Sequence, residues 1–282
     1  MTSRKQLIQL AESGDPIQLR LLARSYDEDE PVDFERALEY FQAAALAGDG
    51  EAANELGEIY RDGDDLAADL AEANRWFEIG AALEHPTACL SLGYQHFYGE
   101  GADKDVARAL QLYRQAAEGG SARAMFNIAL TYEYGDGVSQ DWESAILWHK
   151  KAASEEHVGA LRHLARIYGG LEDYPADEEL ELYWTKRAAE AGDAETQAHL
   201  GVAYYHGKGV ERDHVKAVEW YRESAQGECT WGMYLYGLCL RDGHGVDKDL
   251  DQARHWFQEA AEEHEEAAKS LAKLDDQGET TD

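Results

Sequence analysis

The stretch YGDGVSQDWESA, Tyr134 to Ala145, sets two glycines on either side of an aspartate and places Asp141 just before a helix-like run. Glycine-rich loops that open a helix can hold phosphate, and acid-rich loops can bind calcium. Three further copies of the pattern, at separations that are multiples of 36 residues, begin at Tyr98, His206 and Asp242. The loop is therefore one copy of a repeat and has to be explained as part of that repeat.

Aligned on this loop, the chain divides into seven units with fixed columns of residue types. An aspartate recurs every 36 residues at Asp33, Asp69, Asp105, Asp141, Asp177, Asp213 and Asp249. Four residues later stand Ala37, Ala73, Ala109, Ala145, Glu181, Ala217 and Ala253. Three residues further stand Tyr40, Trp76, Leu112, Trp148, Trp184, Trp220 and Trp256. Another column, each member followed by glycine or alanine, reads Leu22, Leu56, Leu92, Ile128, Leu164, Leu200 and Tyr236. The first unit has a loop that is shorter by two residues, which puts Leu22 out of phase.

The spacing predicts two antiparallel helices in each unit, here called helix A and helix B. Helix A carries the leucine column and usually a tyrosine four residues later, which places both on one helical stripe. Helix B begins at the recurring aspartate and contains the alanine and tryptophan columns. A glycine often follows helix B, as at Gly48, Gly120 and Gly192, and is the expected left-handed stop. Residues 2–14 match only a helix B and 265–274 only the start of a helix A, so both are predicted to cap the stack. The count is about sixteen helices.

These columns carry a family resemblance. The 36-residue unit with LG..Y, G.GV..D and A..WY..AA resembles the Sel1-like repeat, a relative of the tetratricopeptide repeat, over residues 16–264. The resemblance implies an all-α fold, a right-handed α-solenoid of seven helix-turn-helix repeats with terminal capping helices. It forms one domain over 1–274, followed by a disordered tail at 275–282. It also implies a bacterial protein that binds other proteins as an adaptor or regulator. The fifth repeat departs most, since it loses the G-x-G turn and has Glu181 in the alanine column.

The repeat answers the question about the loop. Asp141 is interpreted as the N-cap of helix B, where its carboxylate accepts hydrogen bonds from free backbone N–H groups and occupies the place of a phosphate. The residue between the glycines changes from acid to base across the copies, at Glu100, Asp136, Lys208 and His244. A ligating position would not change in this way. The calcium interpretation also lacks the alternating acidic ligands and the closing glutamate of a calcium loop.

Composition excludes several classes of function. The 282 residues include 57 acids and 26 bases, a formal charge of −31. That charge argues against a nucleic-acid or anionic-membrane surface. The N-terminus has no apolar run of signal-peptide length, and no stretch is apolar enough to span a membrane. Three irregularly spaced cysteines do not form a disulfide framework, which favours a reducing cytoplasm.

No motif of an enzyme is found, so the chain is predicted to be non-enzymatic and without cofactor. The sequence contains no HExxH, G-x-S-x-G or Walker loop. His206, His214, His244 and His255 fall in stacked repeats, and a metal site there stays open, although solvent-facing loop histidines are the preferred interpretation. The tryptophan column follows the period of the fold and is interpreted as core.

Departures from the repeat point to a binding surface. At 100° per residue, the positions of helix A at −5, −2, +2 and +5 from the leucine column face away from the core stripe. In tetratricopeptide-like solenoids this face lines a concave groove. The predicted partner-binding residues are Arg20, Arg24, Arg61, Leu90, Tyr94, Phe97, Arg123, Phe126, Leu130, Arg162, Arg166, Val202, Tyr205, Trp231, Tyr234 and Arg241. Arginine and aromatic residues are the usual anchors of interfaces. The alternative is that these residues pack against the neighbouring repeat, with the arginines paired to nearby acids.

Three hypotheses for function remain. The first is an adaptor whose groove binds an acidic or C-terminal peptide segment or a partner domain, or whose outer surface captures a basic protein. The second is a cytoplasmic immunity protein that neutralises a bacterial toxin, for which the negative charge would suit a basic target. The third and weakest is a metal-dependent hydrolase, which needs a convergent polar pocket that the sequence does not indicate.

Overall fold

The chain folds as a succession of α-helices of similar length. A computed structural model describes residues 4–28, 32–63, 67–171 and 173–279. The helices within these ranges are α1 (Arg4–Ala11), α2 (Pro16–Asp27), α3 (Phe34–Leu46), α4 (Gly50–Asp62), α5 (Leu70–Ala82), α6 (Pro86–Tyr98), α7 (Val106–Glu118), α8 (Ala122–Tyr134), α9 (Trp142–Ser154), α10 (Val158–Tyr168), α11 (Glu178–Glu190), α12 (Ala194–His206), α13 (His214–Gln226), α14 (Thr230–Asp242), α15 (Leu250–Ala260) and α16 (Glu265–Glu279). The prediction of an all-α fold of helical hairpins is confirmed.

The helices fall into two compact units, Met1–Lys151 and Ala152–Asp282, called unit 1 and unit 2. Within unit 1 each helix from α1 to α8 packs against the next, and within unit 2 the same holds from α10 to α16. The A helices of neighbouring repeats also touch, as α4 with α6 and α12 with α14. In each unit the A helices therefore present a common surface, while the hydrophobic core lies between the helix pairs.

Both predicted capping segments contain a helix. α1 buries Leu7 and Ala11 in the same core cluster as Leu22 and Tyr26. α16 buries Ala267 and Leu274 against the last repeat. The expected boundary at Leu274 is wrong, because α16 continues to Glu279. No glycine or proline interrupts it before Gly278, and Arg254 on α15 holds Asp275 at 2.9 Å. Residues 2, 3 and 280–282 of the predicted cap and tail lie outside the described ranges.

Each recurring aspartate joins helix A to helix B through two different groups. The side chain accepts a hydrogen bond from a backbone N–H in the first turn of helix B, at 2.9–3.2 Å in all seven repeats. The backbone N–H of the same residue donates to a carbonyl near the end of helix A, at 2.7–2.9 Å. The predicted N-cap role of Asp141 is confirmed, with Ser144 as its partner. The carboxylate occupies the helix N-terminus, where an anion would otherwise bind.

Glycines of the repeat are placed where a side chain would collide. A Cβ atom on Gly93 would come within 2.7 Å of the Tyr113 ring, and one on Gly201 within 2.5 Å of the Tyr221 ring. The LG pattern of helix A therefore allows a large ring of helix B to approach the helix backbone. The second glycine of the loop fixes the stacking of repeats: Gly137 has a φ of +71° and a Cβ there would strike Val106 of the preceding helix B.

The hydrophobic columns occupy the core as predicted. Six members of the leucine column are 0–1 % exposed and Tyr236 is 8 % exposed. All alanines of the alanine column are fully buried. The tryptophan column lies at the edge of the core, with Trp76 and Trp184 buried and Trp148, Trp220 and Trp256 half-buried. Trp76 belongs to a core cluster, and Trp148 and Trp256 pack against core clusters.

The turn after helix B alternates along the chain. Gly48, Gly120 and Gly192 adopt a positive φ, and the equivalent residues of the intervening repeats, Glu84, Glu156 and Glu228, adopt φ values of 57–62°. Glycine takes this conformation without steric cost, whereas a glutamate there has its Cβ close to the following carbonyl. Every second repeat is therefore joined to the next by a strained residue.

Replacing Asp105 by alanine should lower the free energy of unfolding by about 1 kcal/mol, because the side-chain cap of α7 is lost. Asp105→Asn keeps an acceptor oxygen and should retain most of the stability. Urea denaturation followed by circular dichroism measures both. An equal loss in the two variants would mean that the negative charge, and not the hydrogen bond to Arg108 N–H, stabilises the helix.

Replacing Glu228 by glycine should stabilise unit 2 by about 1 kcal/mol, since relief of the left-handed strain exceeds the added entropy of the unfolded chain. Glu228→Ala retains a Cβ atom and should gain nothing. Thermal denaturation of the two variants provides the comparison. Equal melting temperatures for Glu228→Gly and Glu228→Ala would show that the turn is not strained.

Candidate protein-interaction surface

The arginines of the first repeat are committed to the fold. Arg20 pairs with Asp49 at 2.8 Å and with Glu51 at 3.0 Å, and its side chain is only 12 % exposed. Arg24 pairs with Glu51 and Glu55. These ion pairs join α2 to α4, as the alternative interpretation of the sequence expected. Desolvation raises the pKa of the Glu55 carboxyl above its usual range, and the contact with Arg24 opposes that rise.

Arg61 and Arg241 each hold the aspartate that follows them. Both form a two-point contact, with N···O distances of 2.7 and 3.0 Å to Asp62 and of 2.7 and 2.6 Å to Asp242. The hydrogen bond from the guanidinium lowers the pKa of each aspartate. Each pair presents a partly neutralised charge at the end of its A helix.

Four predicted residues meet in one cleft of unit 1. The cleft has a volume of about 490 Å³ and lies across α4, α6 and α8, where Arg61, Leu90, Tyr94 and Arg123 line it. Within the described residues, Arg123 is exposed and forms no ion pair or side-chain hydrogen bond. It therefore offers a cation to solvent in a protein with a large excess of acids.

Aromatic side chains surround a second, smaller pocket beside this cleft. The aromatic patch consists of Tyr94, Phe97, Tyr98 and Tyr134, of which the three tyrosines are 44 %, 55 % and 58 % exposed. Tyr98 lies against Tyr94 and Phe97, with ring centroids 4.4 and 5.0 Å apart. The pocket measures about 160 Å³ and shares Tyr94 with the cleft.

Tyr98 and Tyr134 were missed by the sequence interpretation, which followed only the helix positions opposite the core. Both stand immediately before the first glycine of the loop, in the copies that begin YG. The other copies of this loop begin with His206 or Asp242. The difference at this position was visible in the sequence and could have indicated the two tyrosines. Leu130, which was predicted, also lines the small pocket.

Phe126 is half-buried and packs on a buried polar pair. Its ring centroid lies 5.5 Å from that of His149. His149 contacts the Glu133 carboxylate at 2.8 Å, and both side chains are fully buried. A carboxylate and an imidazole that are both removed from water need a hydrogen-bonding partner, and here each is the partner of the other. The pair takes the place of an apolar core contact at this position.

In unit 2 the predicted residues make contacts within the protein. Tyr205 stacks on His214 at 4.6 Å and its hydroxyl lies 2.8 Å from His244 Nδ1. Trp231 packs against His199 and Tyr234 against His264, with centroids 4.7 and 4.5 Å apart. Arg162 reaches Asp193 and Glu195 at 3.4 and 3.7 Å, and Arg166 is exposed. Val202 is half-buried and lines a separate cleft.

The loop histidines of repeats 6 and 7 do not converge on a metal position. Among the described residues, His206, His214, His244 and His255 belong to no group of three ligand atoms close enough to share an ion. Arg212 donates a hydrogen bond to His214 Nε2 at 2.9 Å, and His255 lies near Glu259. Their side chains take part in local contacts of the loops and helix ends.

Comparison with known proteins identifies the repeat. The model of the Sel1 repeat matches residues 19–49, 50–85, 86–121, 122–157, 158–193, 194–228 and 232–264. The chain belongs to the Sel1 repeat family. Proteins built from Sel1 repeats typically bind other proteins and are usually non-enzymatic. A comparison with curated protein sequences finds no significant match. None of the described helices is both long and apolar enough to cross a bilayer.

Solved structures share the fold. A protective antigen of uropathogenic Escherichia coli, c5321, is 28 % identical with a TM-score of 0.89 and matches 99 % of this chain. The Sel1 chain spans about 60 % of that protein's length. A Sel1 repeat protein from Oxalobacter formigenes is 25 % identical with a TM-score of 0.68, covering 86 % of this chain and 96 % of that one. The immunity protein Pa5087 of Pseudomonas aeruginosa is 20 % identical over 67 % of this chain and 73 % of its own, with a TM-score of 0.44. A likeness of that size carries no argument about function.

Removing Arg24 should destabilise this Sel1 protein more at pH 7 than at pH 4. Without the guanidinium, the pKa of Glu55 rises further above its unfolded value of about 4.3. A raised carboxyl pKa penalises the folded state once the pH exceeds the unfolded pKa. Since Arg24 is 38 % exposed, Arg24→Ala should cost only about 1 kcal/mol at pH 7.

Urea denaturation at the two pH values measures this difference. In a Glu55→Gln background the pH dependence of the Arg24→Ala effect should shrink, because the titrating carboxyl is absent. The same loss of stability at pH 4 and pH 7 would contradict the role of Glu55.

Proposed function

We propose that this Sel1 repeat protein is a non-enzymatic scaffold that binds a segment of a partner protein on the A-helix surface of unit 1. The observation that carries the proposal is the adjacency of the 490 Å³ cleft and the aromatic pocket, which share Tyr94. Exposed tyrosines beside an exposed arginine have the composition of interface hot spots. An apolar, exposed patch on a soluble protein is commonly a contact surface.

The size of the aromatic pocket suits one side chain of a peptide segment. At about 160 Å³ the aromatic pocket is smaller than the usual range of small-ligand sites, which begins at roughly 300 Å³, and suits a single apolar side chain. The cleft beside it crosses α4, α6 and α8, where the neighbouring residues of an extended or helical segment could bind.

Arg123 supports a carboxylate as the second anchor. A guanidinium presents a planar fork that matches a carboxylate group, and this one forms no ion pair within the described residues. Arg61 borders the same cleft but already holds Asp62, so it contributes less free charge. The ligand proposed is therefore an acidic or C-terminal segment with one apolar anchor a few residues away.

A reducing compartment belongs to the proposal. Cys89 and Cys239 are buried free thiols, and burial raises the pKa of Cys239 to about 12. Free thiols suit a reducing compartment such as the cytoplasm. The remaining predicted groove residues, in unit 2, contribute side-chain packing in this proposal and not the main contact.

The partner can be isolated by affinity purification from the native host and identified by mass spectrometry. Its affinity is then measured for Tyr94→Ala and Arg123→Glu. Each should weaken binding by about ten-fold or more without a change in melting temperature, because both side chains are exposed and outside the core.

Arg75→Glu is the matched control, since it reverses the same charge on α5, a helix B of unit 1. The Arg75 side chain is 73 % exposed. Its affinity should remain near that of the wild type. If Arg75→Glu abolished binding while Arg123→Glu did not, the B-helix surface would be the contact and the proposal would be wrong.

A further inference from the structure

A ring that fills the core of nearly every repeat is absent from the fifth. The eighth residue after the capping aspartate is aromatic in five repeats, at Phe41, Phe77, Tyr113, Tyr221 and Phe257, and each of these side chains is 0–2 % exposed. In the fourth repeat it is His149, which is also buried. In the fifth repeat it is Thr185, which is much smaller.

Two more positions of α11 depart on the same side of the helix. The residue after the capping aspartate is Glu178, where the other repeats have Phe34, Leu70, Val106, Trp142, His214 and Leu250. The alanine column is occupied by Glu181, which is exposed, whereas every alanine of that column is fully buried. Residues three and four positions apart share a helix face, so these changes lie together with Thr185.

A cleft of unit 2 lies beside these residues. It lies between α11 and α12, has a volume of about 430 Å³, and falls in the range of ligand sites. Leu182 and Val202 supply apolar walls, while Glu178, Glu181 and Thr185 supply polar groups. Lys208 borders it from the following loop and His199 lines it from α12, so the cleft contains two carboxylates, one ammonium group and one imidazole.

The polar groups of the cleft are available for a ligand. Within the described residues, neither Glu178 nor Glu181 forms an ion pair. Thr185 is 8 % exposed, lines the cleft and makes no side-chain hydrogen bond in the same part of the chain. Because Thr185 lines the cleft, its hydroxyl can hydrogen-bond to a ligand there.

We propose that this cleft accepts an arginine or lysine side chain from a basic segment of a partner, at a site separate from the aromatic patch of unit 1. The methylene stem would lie on Leu182 and Val202, and the cationic head would reach the two carboxylates with the Thr185 hydroxyl as a further acceptor. Arginine is preferred because its fork can contact two acceptors at once. The net charge of −31 raises the local concentration of cationic segments around the protein.

The tripeptide acetyl-Ala-Arg-Ala-amide is the probe, titrated into the full chain and followed by backbone amide NMR shifts. The expected result is a saturable shift confined to α11, α12 and the loop at Gly209. The same peptide with citrulline in place of arginine keeps the shape without the charge and should bind at least ten-fold more weakly.

Thr185→Phe restores the ring of the other repeats without altering charge and should weaken binding of the arginine peptide ten-fold or more. Glu181→Ala should weaken it as well. Glu190→Gln, which neutralises an exposed acid on α11 outside the cleft, should leave the affinity unchanged. Thr185→Leu serves as the filled variant if the phenylalanine disturbs the fold, which the melting temperature reports.

Equal binding of the arginine and citrulline peptides, shifts spread over the acidic surface, or unchanged affinity in the filled variant would each overturn the proposal. The probe has no apolar or acidic anchor for unit 1, so Arg123→Glu should not affect it. A negative result with the arginine peptide therefore does not contradict the proposed function of unit 1. A negative result with Tyr94→Ala and Arg123→Glu does not contradict the proposal for this cleft.

Discussion

The hydrogen bonds of one aspartate per repeat set the geometry on which the rest of this protein depends. The carboxylate accepts a hydrogen bond from a backbone N–H in the first turn of helix B. The backbone N–H of the same residue donates to a carbonyl near the end of helix A. The side chain makes the first contact and the backbone N–H makes the second. Backbone N–H groups at the helix N-terminus therefore find an acceptor within the repeat. The same residue fixes the position of the start of helix B relative to the end of helix A. The capping carboxylate also takes the place that a bound anion would have at this helix N-terminus.

Once the hairpin is fixed, small residues decide how closely neighbours pack. Gly93 and Gly201 accept rings of helix B against the helix backbone, while Gly137 admits Val106 of the preceding repeat. These positions tolerate little change, because the atoms that a Cβ would meet belong to packed rings and helix starts. Function has to be found where the repeat leaves freedom, which is on the outer face of the A helices and in copies that drop a column.

The two proposed sites arise from opposite kinds of departure. In unit 1, aromatic residues are added to an exposed surface, at Tyr94, Tyr98 and Tyr134, next to the exposed Arg123. In unit 2, an aromatic residue is removed from the interior at Thr185, and carboxylates take the places of apolar neighbours at Glu178 and Glu181. The first arrangement suits an apolar anchor with a carboxylate, and the second suits a cationic side chain. A scaffold with sites of opposite preference could hold two segments at once.

The sequence by itself determined the helical hairpins, their number and the role of the recurring aspartate, because period and residue type alone define which face of a helix is buried and where it is capped. It also predicted Leu90, Tyr94 and Arg123 on one face of the A helices, and these three residues line one cleft. It did not determine which of the predicted arginines are available. Arg20 and Arg24 are consumed by acids of the next repeat, and Arg61 by its own neighbour, because ion pairing depends on distances between helices that no spacing rule contains. Only the tertiary structure showed that Tyr98 and Tyr134 join the patch and that Thr185 lines a cleft with Glu178 and Glu181, since a pocket depends on how the surrounding helices pack.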